Sequence, residues 1–166
     1  MQAEGIIDGS IKSVEIFSYH ESYWNDDLLP SVWNFLKEDD LVDDVFHGEV
    51  LTLNEFMRLM LNAALFIAVD AVKGEFVAFA WLTRYVGKRA EISFFFRKRY
   101  WGSKLMKETV EEFFKYIFSN FEIDLLIGYT TEKVSKFALS SGFTVSGVIP
   151  KYFVNGQDAF IVYRSR

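Results

Sequence analysis

Residues 90–118 read AEISFFFRKRYWGSKLMKETVEEFFKYIF, and the fold turns on how that stretch is parsed. Glu91 to Phe96 is apolar and aromatic apart from Glu91 and Ser93, the composition of a strand buried on both faces. Arg97, Lys98 and Arg99 follow, then Tyr100, Trp101 and Gly102. From Ser103 the period becomes helical, with Met106, Val110, Phe113, Phe114 and Ile117 on one face. Outward positions set Lys104 against Glu108, Lys107 against Glu111 and Glu111 against Lys115 at i,i+4 spacing. A strand that feeds a helix through a turn leaves several backbone N–H groups without partners, and cationic side chains surround this one. It reads as a cradle for a pyrophosphate.

Upstream, two β-like runs at 65–72 and 75–84 are joined at Lys73-Gly74, and Val86-Gly87-Lys88 makes a second tight connection into the Glu91 strand. Downstream, residues 123–129 (IDLLIGY) form a strand, so strand, helix and strand return to one sheet as a parallel pair with a right-handed crossover. Thr131 opens a helix to Ser141, which Gly142 stops. Residues 143–153 and 158–163 are two further strands, with Asn155-Gly156 as their hairpin signal. Nearer the start, residues 1–12 read as a loose end and 13–19 (SVEIFSY) as a first strand. Ser31 to Leu36 follows Pro30 as a short helix. Thr52-Leu53-Asn54-Glu55 is a capping box opening a helix to about Asn62, with Phe56, Leu59 and Met60 inward. The expectation is one α/β domain over 1–166: a mixed, mostly antiparallel sheet of about seven strands, one parallel pair, and helices on both faces.

The 166 residues are 51% hydrophobic and include 18 phenylalanines but only two prolines, enough for a sizeable core. No apolar run approaches the roughly 20 residues that span a bilayer, and the first residues lack a secretory pattern, so a cytoplasmic location without a membrane partner is expected. With no cysteine, thiolate catalysis and cysteine-ligated metal are excluded. Residues 1–83 carry 4 Lys and Arg against 15 Asp and Glu, whereas residues 84–166 carry 14 against 8. That asymmetry fits either two oppositely charged ligands or two solvated faces. The acidic run from Glu38 to Asp44 lacks calcium-loop spacing and reads as solvated surface. His20 and His47 lack ligand spacing, so no metal is expected. Trp24, Trp33 and Phe46 suit core packing, or else the lining of an acceptor pocket.

These elements, in this order, resemble the GNAT acyltransferase superfamily, in particular the branch that acetylates ribosomal-protein N-termini and similar amines. Members carry a strand–turn–helix of the form E-I-G-Y, then Y-W-G-K-G, then E-A. Here Glu91-Ile92 matches its opening, Ser93 stands for the glycine, Phe94 for the tyrosine, and Tyr100-Trp101-Gly102 matches the centre. Glu108 and Val110 match the later positions, and Ser141-Gly142-Phe143, Gly147 and Asn155-Gly156 resemble the family's ending. Three positions depart from it. Lys104 replaces a small residue of the glycine turn, Thr131 an asparagine, and Ala138 occupies the place where many relatives have a tyrosine acid.

The resemblance implies acetyl-CoA in a V between the Glu91 and Ile123 strands, transferring its acetyl group to a small-molecule or peptide amine. Backbone groups of Phe95 and Phe96 would pair with the pantetheine amides. Amides from Trp101 through Gly102, Ser103 and Lys104 to Leu105 would hold the pyrophosphate, with Arg97 and Arg99 nearby and Thr131 opposite. Glu91 is the candidate base, directly or through water, or else a strand-edge partner of Arg84 or Arg89. The leaving thiolate would take its proton from water, from Tyr129 or from the nascent ammonium. A homodimer is compatible with this family. The alternative is a GNAT-like module that holds CoA or a partner without turnover. Nucleic-acid binding through Arg97-Lys98-Arg99-Tyr100-Trp101 is disfavoured by the overall acidity.

Overall fold

A computed structural model describes residues 12–19 and 27–166. The readings placed on residues 1–11, on His20 and on Trp24 lie outside that range. The order is β1 (Val14–Tyr19), α1 (Leu28–Glu38), α2 (Val42–Phe46), α3 (Leu53–Met60), β2 (Ala64–Asp70), β3 (Phe76–Val86), β4 (Arg89–Phe96), a 3-10 turn (Lys98–Tyr100), α4 (Lys104–Asn120), β5 (Leu125–Thr130), α5 (Glu132–Ser140), β6 (Thr144–Ile149) and β7 (Ala159–Ser165). The seven strands lie in the order β1-β2-β3-β4-β5-β7-β6. Among the described residues only β4 and β5 are parallel; every other neighbouring pair is antiparallel. The expected mixed sheet of about seven strands is therefore the observed one.

Helices cover both faces. On one, α4 and α5 bury Phe66, Leu82, Ile92, Phe96 and Leu126 together with Phe113, Phe114 and Ile117. On the other, α1, α2 and α3 cover Leu65, Phe79, Trp81 and Phe95 with Leu36, Phe46, Phe56 and Met60. Phe56, Phe66 and Phe79 are almost wholly enclosed, each contributing about 2–3 kcal/mol by the area it removes from water. Strand β4 thus buries Ala90, Ile92 and Phe96 on the α4 side, with Phe94 half-buried, but on the other side only Phe95, with Ser93 exposed. The expectation of burial on both faces fails there because α2 and α3 reach only one end of the strand.

Local signals explain most boundaries. The capping box forms: Thr52 Oγ1 accepts from Glu55 N at 3.3 Å, and Glu55 Oε2 accepts from Thr52 N at 3.0 Å. Of the residues placed inward on α3, Phe56 and Met60 are buried but Leu59 is exposed. The β2–β3 turn is organised by Asp70, whose Oδ1 accepts from the amides of Val72 and Lys73 at 2.9 and 3.0 Å. Helix α1 begins before Pro30, which occupies its first turn, where a missing N–H costs nothing. Helix α2 arises inside the acidic run, too short at five residues to show a period in sequence.

The expected Asn155-Gly156 hairpin is a turn inside a longer connection, residues 150–158, because β6 stops at Ile149. Pro150 has no N–H for the ladder, and Lys151 takes a left-handed backbone with φ +51°. Asn155 N instead donates to His47 O at 3.1 Å, which draws the connection onto α2.

Candidate active site

The parallel pair holds for three positions only: Arg89 with Leu125, Ala90 with Leu126 and Glu91 with Ile127. Beyond them the strands diverge, β4 following β3 and β5 following β7. Gly128 sits at the fork, where a Cβ would stand 3.1 Å from Val162 Cγ2 and 3.5 Å from Ile92 O. A cavity of about 660 Å³ occupies the opening. Its walls are Ile92 to Phe96 from β4, Gly128 to Thr130 from β5, Val134, Phe137 and Ala138 from α5, and Leu41, Val45 and His47 from the α2 side.

The β4 edge toward this cavity has a defined polarity. Arg97 N donates to Val77 O, so residues in step with 97 spend their backbone groups on β3. Those of Phe94 and Phe96 consequently face the opening, and Phe96 O accepts from Trp101 Nε1 at 3.1 Å. The expectation for Phe96 fits this edge, but Phe95 directs its backbone to Phe79 and only its side chain reaches the cavity wall. Phe94 is the residue the sequence reading passed over.

The turn closes as its sequence suggests. Gly102 has φ +72°, which a residue with a Cβ adopts only under strain. Ser103 caps α4, its Oγ accepting from Met106 N at 3.1 Å. Among the described residues, the amides of Gly102, Lys104 and Leu105 find no protein acceptor. Trp101, Gly102 and Ser103 line the cavity; the side chains of Lys104 and Leu105 do not. Lys104, whose side chain is 90% exposed, runs along the helix to Glu108 at 3.3 Å and leaves the turn open.

Several expected cations are engaged elsewhere. Arg97 donates through Nε to Asp39 Oδ2 at 2.7 Å and through Nη2 to Glu38 at 3.0 Å, and its guanidinium lies 4.3 Å from the Phe35 ring centroid. Burial would raise the Asp39 carboxyl, but hydrogen bonds from Arg97 and from the Lys98 amide, with their charge, hold it below the usual aspartate range. Arg99 pairs with Glu75 at 3.3 Å, the same carboxylate that accepts from Tyr100 Oη at 2.9 Å. Neither arginine lines the cavity, and carboxylates hold both. The acidic first half and basic second half neutralise each other at these contacts. Of the three expected pairs on α4 only Lys104–Glu108 forms, since Lys115 turns to Glu112 at 2.9 Å. Lys107 lines the cavity without an ion pair among the described residues, and Glu111 lines it too.

At the other end, Tyr129 lines the cavity and stacks on Tyr152, centroids 5.3 Å apart. Glu91 lies outside the lining and pairs with Arg84 at 3.2 Å, as its strand-edge alternative required. Thr131 opens α5 without a side-chain cap, and Thr130 lines the cavity in its place. Ala138 is buried on the wall, so no hydroxyl projects there. Trp33 and Phe46 are core, their centroids 6.3 Å apart, and neither lines the cavity. The α2 wall was hidden in the run Leu41-Val42-Asp43-Asp44-Val45-Phe46, whose apolar positions at i, i+4 were the available signal.

A sheet forked between its parallel strands, with a glycine turn and helix start at the mouth, is the arrangement that the family match decides. The acetyltransferase (GNAT) domain matches residues 23–135. The chain belongs to the GNAT acetyltransferase family. The donor in that family is acetyl-CoA. By sequence, no curated protein matches.

Solved GNAT structures share the fold at low identity. A spermidine N-acetyltransferase from Vibrio cholerae, in complex with CoA and spermine, superposes with TM-score 0.72 at 14% identity, covering 92% of this chain and 95% of that one. The Salmonella typhimurium enzyme that modifies the N-terminal serine of ribosomal protein L7/L12 gives 0.73 at 13%, covering 94% and 96%. A ribosomal-protein-S5-alanine acetyltransferase from Vibrio fischeri gives 0.68 at 15%, covering 94% of each.

Proposed function

We propose that this protein transfers the acetyl group of acetyl-CoA to a primary amine by direct attack, with no acyl-enzyme. The observation that carries the reading is the fork between β4 and β5, whose cavity joins the open α4 turn to the acceptor side at α2. The pantetheine arm lies along β4, paired with the backbone groups of Phe94 and Phe96 as an added strand. The diphosphate rests on the amides of Gly102, Lys104 and Leu105 at the positive end of α4, with Lys107 supplying a cation on the cavity wall. A backbone N–H of β4 polarises the thioester carbonyl and stabilises the charge that develops on its oxygen. Tyr129 Oη protonates the departing thiolate, a role Ala138 does not fill. Glu91 reaches the amine only through water, since it lies outside the lining.

The acceptor is an aliphatic amine such as spermidine or the free N-terminus of a protein, the acceptors named for the structural neighbours. Two measurements test this. Calorimetric titration with acetyl-CoA should show one site, and thiol release should follow addition of spermidine or of a peptide with a free N-terminal serine. Absence of heat at millimolar ligand would overturn the reading. Binding without thiol release across a panel of amines would favour a CoA-holding module instead, a second reading supported by the Glu91–Arg84 pair and Ala138.

A further inference from the structure

The α2 wall of the cavity holds a group that the scheme above leaves idle. His47 ends α2 in a left-handed conformation, φ +52°, which histidine adopts more readily than most residues. It is 6% exposed, its ring lies 3.9 Å from that of Phe153, and it lines the cavity. Its Nδ1 is enclosed with no hydrogen-bond partner, alone in this among the buried side-chain atoms of the described residues. No hydrogen bond reaches either ring nitrogen there.

An enclosed polar atom without a partner costs about 1–3 kcal/mol, and Nδ1 is sealed from a ligand as it is from water. The ring's other nitrogen, Nε2, is unpartnered but not enclosed, and it is the one a ligand in the cavity can meet. Everything else on that side of the opening is apolar or already paired: Leu41 and Val45 supply surface, and Asp44 contacts Lys133 at 3.8 Å.

We propose that His47 receives the acceptor: the lone pair on its Nε2 takes a hydrogen bond from the attacking amine and then accepts that nitrogen's proton. This rests on the acetyl-transfer reading and supplies the base that Glu91 is poorly placed to be. The amine lone pair forms the C–N bond to the thioester carbon, the C–S bond breaks, and its electron pair leaves on sulfur. The proton shed by nitrogen goes to the imidazole and then to solvent, while the thiolate gains one from Tyr129, itself recharged by solvent.

The ring's surroundings keep it neutral and receptive. Burial holds it below the ordinary histidine value of 6.5, outweighing Asp43 and Asp44, which push it up. The other charged groups lining the same cavity are Lys133 on α5, paired with Asp44, and Lys107 and Glu111 on α4, the latter paired with Arg164 at 3.5 Å. In the connection 150–158, Lys151 N donates to Asp158 at 2.8 Å, so the segment against the ring presents Tyr152 and Phe153.

The test uses histidine-ring NMR on the full chain, whose two histidines are separated by comparing wild type with His47→Phe, a change that keeps the stack on Phe153. His47 signals should titrate below 6.5, stay put when CoA is added alone, and shift when spermidine or an N-terminal serine peptide follows. In thiol release, His47→Phe and His47→Asn should raise KM for that amine about tenfold and remove the acidic limb of kcat/KM, leaving KM for acetyl-CoA within about twofold. Asparagine tolerates the left-handed backbone, so agreement between the two variants excludes misfolding. Thiol release by wild type with no amine-induced shift would overturn the role of His47 alone. A shift without thiol release would overturn acetyl transfer and leave His47 as an amine contact. Unchanged amine KM in both variants would overturn the proposal.

Discussion

Replacing Asp39 by asparagine isolates what the acidic corner after α1 does for the turn before α4. Asp39 lies 58 residues from Arg97 in the chain, yet its Oδ2 accepts from both Arg97 Nε at 2.7 Å and Lys98 N at 2.9 Å. The two side chains are 12% and 15% exposed, so solvent screens the pair weakly. The amide is nearly isosteric and its oxygen still accepts from Arg97 Nε and Lys98 N; what it loses is charge and the long 3.4 Å bond from Arg97 Nη2. Hydrogen bonds to charged groups are worth about 1.5–3 kcal/mol, and Glu38 remains to neutralise part of Arg97, so the loss should be about 2 kcal/mol. For a chain of this length that lowers Tm by about 4–8 °C at neutral pH.

The pH dependence fixes the origin of that loss. The folded carboxyl is depressed below its ordinary value of 3.8, so its stabilisation is fully present above that value and fades as pH falls through the folded pKa. The difference in Tm between wild type and Asp39→Asn should therefore be constant from pH 7 down to about pH 5 and shrink below pH 4. Thermal melts monitored by circular dichroism at several pH values give the measurement. Equal melting at pH 7, or a gap that persists undiminished at pH 3, would refute the reasoning.

Three further perturbations bear on the site. Tyr129→Phe keeps the stack on Tyr152 and should lower kcat in a thiol-release assay by about 10²-fold or more while leaving CoA affinity unchanged. Glu91→Gln should lower kcat less than tenfold and cost under about 1 kcal/mol in a urea melt, because its partner Arg84 is largely solvent-exposed; a 10²-fold loss would restore Glu91 as the base. Gly128→Val places side-chain atoms against Val162 and the Ile92 carbonyl and should weaken acetyl-CoA at least tenfold by calorimetry, about 1.4 kcal/mol.

The strand, glycine turn and helix from Ala90 to Phe118 were legible because period and turn chemistry are local. Ser103 and Gly102 do what their residue types require wherever they occur. The fates of the cations were not legible. Arg97 is claimed by Asp39 and Arg99 by Glu75, partners that only the folded sheet brings within reach. The α2 wall escaped for a different reason: five residues carry less than two helical turns, and two of them are aspartates. Phe94 and Phe95 exchanged places because alternation along a strand fixes two sets of backbone directions, while the sequence does not say which set meets β3. That assignment needed one hydrogen bond, Arg97 N to Val77 O.

The fork has a mechanical side. Four strands lie to one side of it and three to the other, and the two slabs are sewn together by three rungs of ladder and the α4 crossover. On the proposed binding mode a coenzyme laid in the gap would supply the missing rungs, a structural member as much as a reagent. At a hundredfold excess over its Kd it would add about 2.7 kcal/mol to the stability of the whole, and the apoprotein would be the form in which this seam gives way first.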